Sequence, residues 1–201
     1  MMGLNDKSYF TGWFIFMFGI INMMSLTLVL TAKDRIFKES DLSLIFMMSV
    51  LYGMTLYGFA FQVVAFLPTK KSAGTLASLL HIISFYVAFA FRGPAWGNTF
   101  KMVLSLIPNC ALAFTVEHLF HCELQGSGLD RTMAAIPYQN FSFVNGCTML
   151  AVDVVVWAIL GYYFDQVAPR EIGLPRSIWF PCQSRQRKEI VLADMPEECH
   201  N

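Results

Sequence analysis

The sequence predicts an all-α integral membrane protein, a bundle of about four transmembrane helices with a re-entrant helical hairpin between the third and the last. Three observations predict it. Of 201 residues 56% are hydrophobic and 14% charged, against about 25% charged in a soluble domain, so too few charges exist to coat a surface facing water. Four apolar stretches reach the length needed to cross a hydrocarbon core of about 30 Å at about 1.5 Å per helical residue. A fifth is broken in its middle by Pro108-Asn109.

The first span is residues 9–32, with Tyr9, Phe10 and Trp13 in an interfacial aromatic belt and Lys33-Asp34-Arg35 as its stop. A short linker to Asp41 makes the second span, residues 42–67, its antiparallel neighbour. Gly53, Gly58 and Ala60 are read there as small residues that let helices approach closely. Pro68-Thr69-Lys70-Lys71 ends it. The third span covers residues 73–91, with Gly74, Ala77 and Ser78 on related turns and His81 inside, and Arg92-Gly93-Pro94-Ala95-Trp96-Gly97 forms an interfacial turn. Residues 100–120 open on Lys101, break at Pro108-Asn109 and end on Glu117-His118. A proline removes a backbone donor and clashes with the preceding turn, so a lipid-exposed crossing is disfavoured and a re-entrant hairpin fits better. A polar segment from Glu123 to Arg131 follows. The last span, residues 141–164, carries Asp153 and passes into a strap from Asp165 to Pro181, punctuated by Pro169 and Gly173. Residues 182–201 form a charged tail. The apolar run after Met1 continues too long for a cleaved signal peptide.

Formal net charge is zero, so no basic face argues for a nucleic-acid partner. Cys110, Cys122, Cys147, Cys182 and Cys199 stand without CxxC pairs, which leaves no readable disulfide framework or zinc site. Glu117, His118, His121, Cys122 and Glu123 have metal-ligand residue types, but they read as an interfacial polar helix end. No Ser/His/Asp or Cys/His arrangement stands out. Catalytic, cofactor-binding and metal residues are therefore all assigned as none. Asp153 and His81 read first as helix-packing polar groups. Lys70-Lys71 read as a solvated anchor pair, and the sequon Asn140-Phe141-Ser142 as unused because it abuts the membrane. Lys and Arg counts in the loops favour an inverted chain with five full crossings over one with an inside N-terminus and a re-entrant fourth stretch.

Three blocks together resemble the transmembrane half of ATP-binding cassette transporters of subfamily A, the lipid-exporter group. The first is Phe66-Leu67-Pro68-Thr69-Lys70-Lys71-Ser72-Ala73, similar to that family's cytosolic turn. The second is Glu123-Leu124-Gln125-Gly126-Ser127-Gly128, similar to a Glu-Glu-Gln-Gly-x-Gly segment on the exoplasmic side, and preceded by Leu104-Ser105. The third joins Asp153 and Tyr162-Tyr163-Phe164-Asp165 to a strap. There Val167-Ala168-Pro169, Gly173-Leu174-Pro175-Arg176 and Phe180-Pro181 match, while Ala168, Arg170, Ile172 and Ser177-Ile178-Trp179 depart.

The resemblance covers the family's third to sixth spans. It implies a re-entrant fourth stretch entering from the exoplasmic side, a cytosolic tail at 182–201 leading towards a nucleotide-binding domain, and a multi-pass membrane location. It further implies movement of lipids, with membrane lipids, that ATPase domain and the other transmembrane half as partners, and ATP and Mg bound on the ATPase domain. The chain contains no Gly-x-x-x-x-Gly-Lys-Ser/Thr, so no phosphate cradle is expected on it and no enzyme activity by itself. It reads as a piece of a larger polypeptide or a truncated product. The alternative is a non-enzymatic membrane interaction or scaffold protein.

Overall fold

A computed structural model of the chain describes residues 6–33, 35–66 and 70–167. Most of the strap, residues 168–181, and the tail, residues 182–201, lie outside the described residues. Among the described residues there are six helices: α1 (Asp6–Lys33), α2 (Leu42–Phe66), α3 (Lys70–Ala90), α4 (Asn98–Leu104), α5 (Pro108–Leu124) and α6 (Phe143–Val167), with a short 3-10 turn at Met133–Ala135. Residues 11–33, 42–63 and 143–164 are long and apolar enough to cross a membrane. The third expected span supplies a shorter apolar helix, Gly74–Ala90.

The boundaries follow local chemistry. Lys70, read as part of a stop, instead opens α3. Phe141, read as the start of the last span, sits in a two-residue hairpin turn with Gln139 and Asn140 at positive φ, so α6 begins two residues later. Tyr138 and Phe141 exchange both backbone hydrogen bonds across that turn at 2.9 Å, which ties off the connection before the helix starts.

α2 and α6 form the central pair, α1 packs on α2, and α5 packs on α6. The apolar core between them holds Val29, Ile45, Met48, Ala111, Leu119, Phe143 and Leu150. Small residues set the approach distances. A Cβ on Gly146 would lie 1.8 Å from Thr115 Oγ1, so α5 and α6 meet only because that position is glycine. Gly58 does the same on α2, where a Cβ would stand 3.0 Å from Trp157 Cβ. Of the other small residues singled out, Gly53 abuts Ile21, whereas Ala60 is exposed and Gly74 has open space beside it. Not every small residue in a membrane helix marks a contact.

The ends of the helices decide the topology. The α1–α2 corner touches the segment after α5, with Asp41 N donating to Leu129 O at 2.9 Å. The turn after α3 touches the start of α6, with Asn140 Nδ2 donating to Pro94 O at 2.9 Å. α4 therefore starts, and α5 ends, at the end of the bundle where α1, α2, α3 and α6 also have a terminus. The pair goes in and comes back out. This excludes five full crossings, which the loop charges favoured.

Three single-cysteine variants, made with the five native cysteines replaced by serine, check the topology. Glu39→Cys and Arg131→Cys are expected to react with an impermeant maleimide from the same side of sealed vesicles, and Ser8→Cys only from the other. Gly146→Val is expected to cost about 1–3 kcal/mol by overpacking, read as a lowered melting temperature, while Gly74→Val leaves it unchanged.

Candidate functional site

The tip of the α4–α5 hairpin is where an apolar environment is hardest on the chain. Ser105 closes α4, its hydroxyl donating to Lys101 O at 2.7 Å. Ile107 is extended, and Pro108 takes the first helical position of α5, where its missing N–H costs nothing. The neighbouring Asn109, nearly fully buried, is saturated by two other helices. Its Nδ2 donates to His81 O at 2.9 Å and Ser84 Oγ at 2.6 Å, and lies 3.0 Å from His81 Nδ1. Its Oδ1 accepts from Tyr52 Oη at 2.6 Å. Tyr52 is ten residues into α2 and His81 nine residues from the end of α3, so the tip lies about 14–15 Å deep, half-way through a hydrocarbon core. His81, read as a packing residue, is thereby a ligand of Asn109.

The outer end of α5 is held as firmly. Glu123 accepts from the backbone N–H of Lys38 at 2.7 Å and of Glu39 at 3.1 Å, and from the Ser40 hydroxyl. Ser40 Oγ in turn accepts from Leu129 N at 2.9 Å. Gly128 has φ +64, and a Cβ there would lie 2.2 Å from Glu39 O, so both backbone shape and close approach require glycine. Burial pushes the Glu123 carboxyl up, but the Ser40 hydroxyl and the Glu39, Lys38 and Ser40 amides outweigh it and hold it below its ordinary value. The Glu123–Gly128 segment is a clamp that joins the hairpin to the α1–α2 corner.

Lys101 is the finding that sequence reasoning missed. Read only as the charge that opens the hairpin, it is 1% exposed. Its ammonium donates to Gln139 O at 2.7 Å and sits 5.3 Å from the centroid of the Phe114 ring. The positive φ of Gln139 and Asn140 turns that carbonyl inward, a conformation no spacing rule announces. One turn of α5 further out, His118 Nδ1 accepts from Phe143 N at 2.9 Å, satisfying an orphan donor at the start of α6. The acceptor nitrogen of the sequon, Asn140 Nδ2, is occupied by Pro94 O and by Trp96 O at 3.2 Å.

Between α3 and α5, at the clamped end, runs a groove of about 580 Å³. Phe85 and Phe89 line it on α3, and Leu112, Phe114, Val116 and Phe120 on α5. Its mouth is ionic. Arg92 Nε stands 3.5 Å from Glu117 Oε1, with the side chains 53% and 20% exposed, and the guanidinium lies 5.5 Å over Phe89. Beside them His121 stacks on Tyr138 with centroids 3.8 Å apart. A second, smaller cleft of about 300 Å³ separates α1 from α2 and α6.

The Glu117–Glu123 run is thus divided among separate tasks: Arg92 holds Glu117, Phe143 N engages His118, Tyr138 stacks on His121, Cys122 is buried, and Glu123 clamps the corner. Among the described residues no group of three ligand-type side chains is placed to hold a metal ion. Asp153 is fully buried on α6, and neither carboxyl oxygen has a hydrogen-bond partner among the described residues. The Trp157 Nε1 one turn on and the Gln62 Oε1 on α2 are likewise buried and unpaired. Asp153 is therefore not the interhelical hydrogen bond that its position suggested.

The resemblance implies a re-entrant stretch before the last span, and the comparisons agree with the resemblance itself. No protein-family model matches the chain. Against curated proteins it is 27% identical over 180 residues, 88% of its length, to the cholesterol transporter ABCA5 of Rattus norvegicus. It is 28% identical over 193 residues, 90% of its length, to ATP-binding cassette sub-family A member 2 of Homo sapiens. It is 23% identical over 190 residues, again 90% of its length, to sub-family A member 17 of Rattus norvegicus. The chain is related to the ATP-binding cassette transporters of subfamily A. It spans 11%, 8% and 10% of those three relatives' own lengths. Relationship to subfamily A and three membrane-length helices make it an integral multi-pass membrane protein.

Two substitutions test this anatomy. Asn109→Leu leaves the Tyr52 and Ser84 hydroxyls without their buried partner and is expected to cost about 2–3 kcal/mol, measured as a fall in melting temperature of the detergent-purified chain. Glu123→Ala removes an ionised acceptor of three hydrogen bonds and is expected to cost about 2 kcal/mol near neutral pH. Because the folded carboxyl titrates below its ordinary value, the clamp contributes in full above that value and loses its contribution as pH falls through the lowered one. Melting temperatures of wild type and Glu123→Ala are therefore expected to converge in acid.

Proposed function

We propose that the chain is a portion of the membrane domain of a subfamily A transporter that moves lipids across or out of the bilayer. The observation that carries this reading is the hairpin, which enters and leaves at one end of the bundle. With it, α6 runs from the clamped end to the opposite face, which on this reading is the side where a nucleotide-binding domain would join. With five crossings the same strap would emerge on the wrong side. Similarity to subfamily A over about nine-tenths of the chain supports the same assignment.

On this reading the clamped end is exoplasmic and residues 182–201 are cytosolic. Hydrolysis of ATP belongs to a separate nucleotide-binding domain, which with the other transmembrane half is the partner; ATP and magnesium bind there and not on this chain. The chain contributes the bundle, its lateral groove and the mechanical path through α6.

A second reading, a non-enzymatic interaction protein, is favoured by one observation. α1 buries only the stripe of Ser25, Val29 and Ala32, and leaves Ile15, Phe16, Met23, Met24 and Leu30 exposed. That face is available to another membrane helix.

Replacing the matched segment of a subfamily A transporter with this chain separates the two. The transporter reading expects the chimera to reach its membrane and keep ATP-dependent lipid export. A chimera that is stable and correctly located but inactive, while the separate chain co-purifies with the intact transporter, would establish the interaction protein instead.

A further inference from the structure

We propose that His118 is a proton sensor: when the compartment at the clamped end turns acidic, it takes up a proton and lets go of the start of α6. The sensing rests on the geometry of this chain. Only the side on which acidity is sensed rests on the membrane placement of the preceding section.

The bond that senses joins His118 to Phe143. The first N–H groups of a helix have no partner within it. In α6 the Asn145 N–H is capped from its own segment, by Ser142 Oγ at 3.1 Å. The Phe143 N–H is capped from another helix, by His118 Nδ1 at 2.9 Å. An amide N–H only donates, so Nδ1 must offer its lone pair, and the ring is neutral with its proton on Nε2. A second proton can go only to Nδ1. There it removes the acceptor and sets two N–H groups head to head. Phe143 and His118 are 1% and 3% exposed, so water does not replace the lost partner.

The surroundings hold the ring neutral. Burial, and then the neighbouring His121, lower the His118 value below the ordinary one. Among the described residues no carboxylate pairs with the ring: Glu117 is engaged by Arg92 at 3.5 Å and Glu123 by the clamp. From α4 comes a cation, Lys101, held on Gln139 O. The α2 helix carries no charged residue. Tyr138 lies nearly parallel to the ring at 6.1 Å, and Cys122 and Cys147 share its partner's core. The positive end of α6 also disfavours a cation there. The bond is therefore present in full above the ordinary histidine value and is lost as pH falls through the lowered one.

Position and consequence agree with this role. His118 stands about 15 Å along α5 from Pro108, which returns it from the tip of the hairpin to headgroup depth, where protons arrive. The turn before α6 has other holds, Lys101 Nζ on Gln139 O and Asn140 Nδ2 on Pro94 O, and neither titrates in the histidine range. Protonation thus frees the first turn of α6 from α5 and leaves the preceding turn in place.

The test places the full chain in dioleoylphosphatidylcholine nanodiscs, with both faces open to buffer. Amide hydrogen exchange of residues 141–147 is followed from about pH 8 to about pH 4 and corrected for the intrinsic pH dependence of exchange. Protection in wild type is expected to fall about tenfold on acidification, the scale of one lost buried hydrogen bond. His118→Asn sets a carbonyl oxygen near the place of Nδ1 and does not titrate, so its protection is expected to hold throughout. Both proteins keep Glu123, so weakening of the clamp in acid cancels in the comparison. Resonances of isotope-labelled histidine, with His118 assigned by its loss in the variant, are expected to show Nδ1 unprotonated at neutral pH and a midpoint that coincides with the loss of protection. Protection that is flat with pH in wild type overturns the proposal, as does an equal loss in both proteins or a protonated Nδ1 at neutral pH. If His118→Asn is unprotected at every pH, the two wild-type midpoints decide, and midpoints that stand apart overturn it. Neither nucleotide nor transport enters the measurement, so a chimera that fails to export lipid leaves this result standing, and an exporting chimera does not rescue it.

Discussion

Backbone and side-chain polar groups that enter an apolar solvent must find partners within the protein, and the Asn109 network is how this chain meets that demand. A turn in mid-membrane frees several peptide groups at once, each costing several kcal/mol if left bare. Here Ser105 takes up one end of the break, Pro108 has no donor to lose, and Asn109 spends every atom of its amide on α2 and α3. The hairpin is thus not a defect tolerated by neighbours. It is the element through which α3, which touches α2 only lightly, is attached to the rest.

The second anchor lies at the surface and has a different character. At the tip, hydrogen bonds are neutral and buried. At the mouth, an ionised carboxylate collects backbone amides from a corner some eighty residues earlier in sequence, at |i−j| of 84 and 85. The two anchors hold α5 at both ends, about 21 Å apart along the helix. The contact of Thr115 with Gly146 and the acceptance of Phe143 N by His118 complete its seating against α6.

Much of this was legible beforehand, for identifiable reasons. Long apolar runs bounded by charges can be read because the bilayer sets a length scale, and Pro108-Asn109 could be read as a break because proline's chemistry is local. Glu123, Gly126 and Gly128 were visible as a motif, although their purpose required the partner loop. What stayed hidden depended on tertiary placement. Lys101 looked interfacial because sequence alone does not reveal that Gln139 turns a carbonyl towards it. Gly74 and Ala60 matched the small-residue pattern, yet Ala60 is exposed and a Cβ on Gly74 would meet open space, since composition marks which positions permit contact and not which ones make it. The Arg92–Glu117 pair joins the turn after α3 to α5, and no spacing within one element connects them.

The way α3 is attached has a mechanical consequence. α1, α2, α5 and α6 share one continuous core and are stapled together by the Glu123 clamp, so they behave as a single rigid frame. α3 is held on that frame by the Asn109 amide near its middle, by an ion pair at its outer end and by the packing of Val87 and Ala88 against Cys110, Phe114 and Phe141. A shift of its outer half against α5 would therefore have to repack Ala88 on Phe114 while the His81 and Ser84 contacts stay in place, and it would change the width of the space between the two helices.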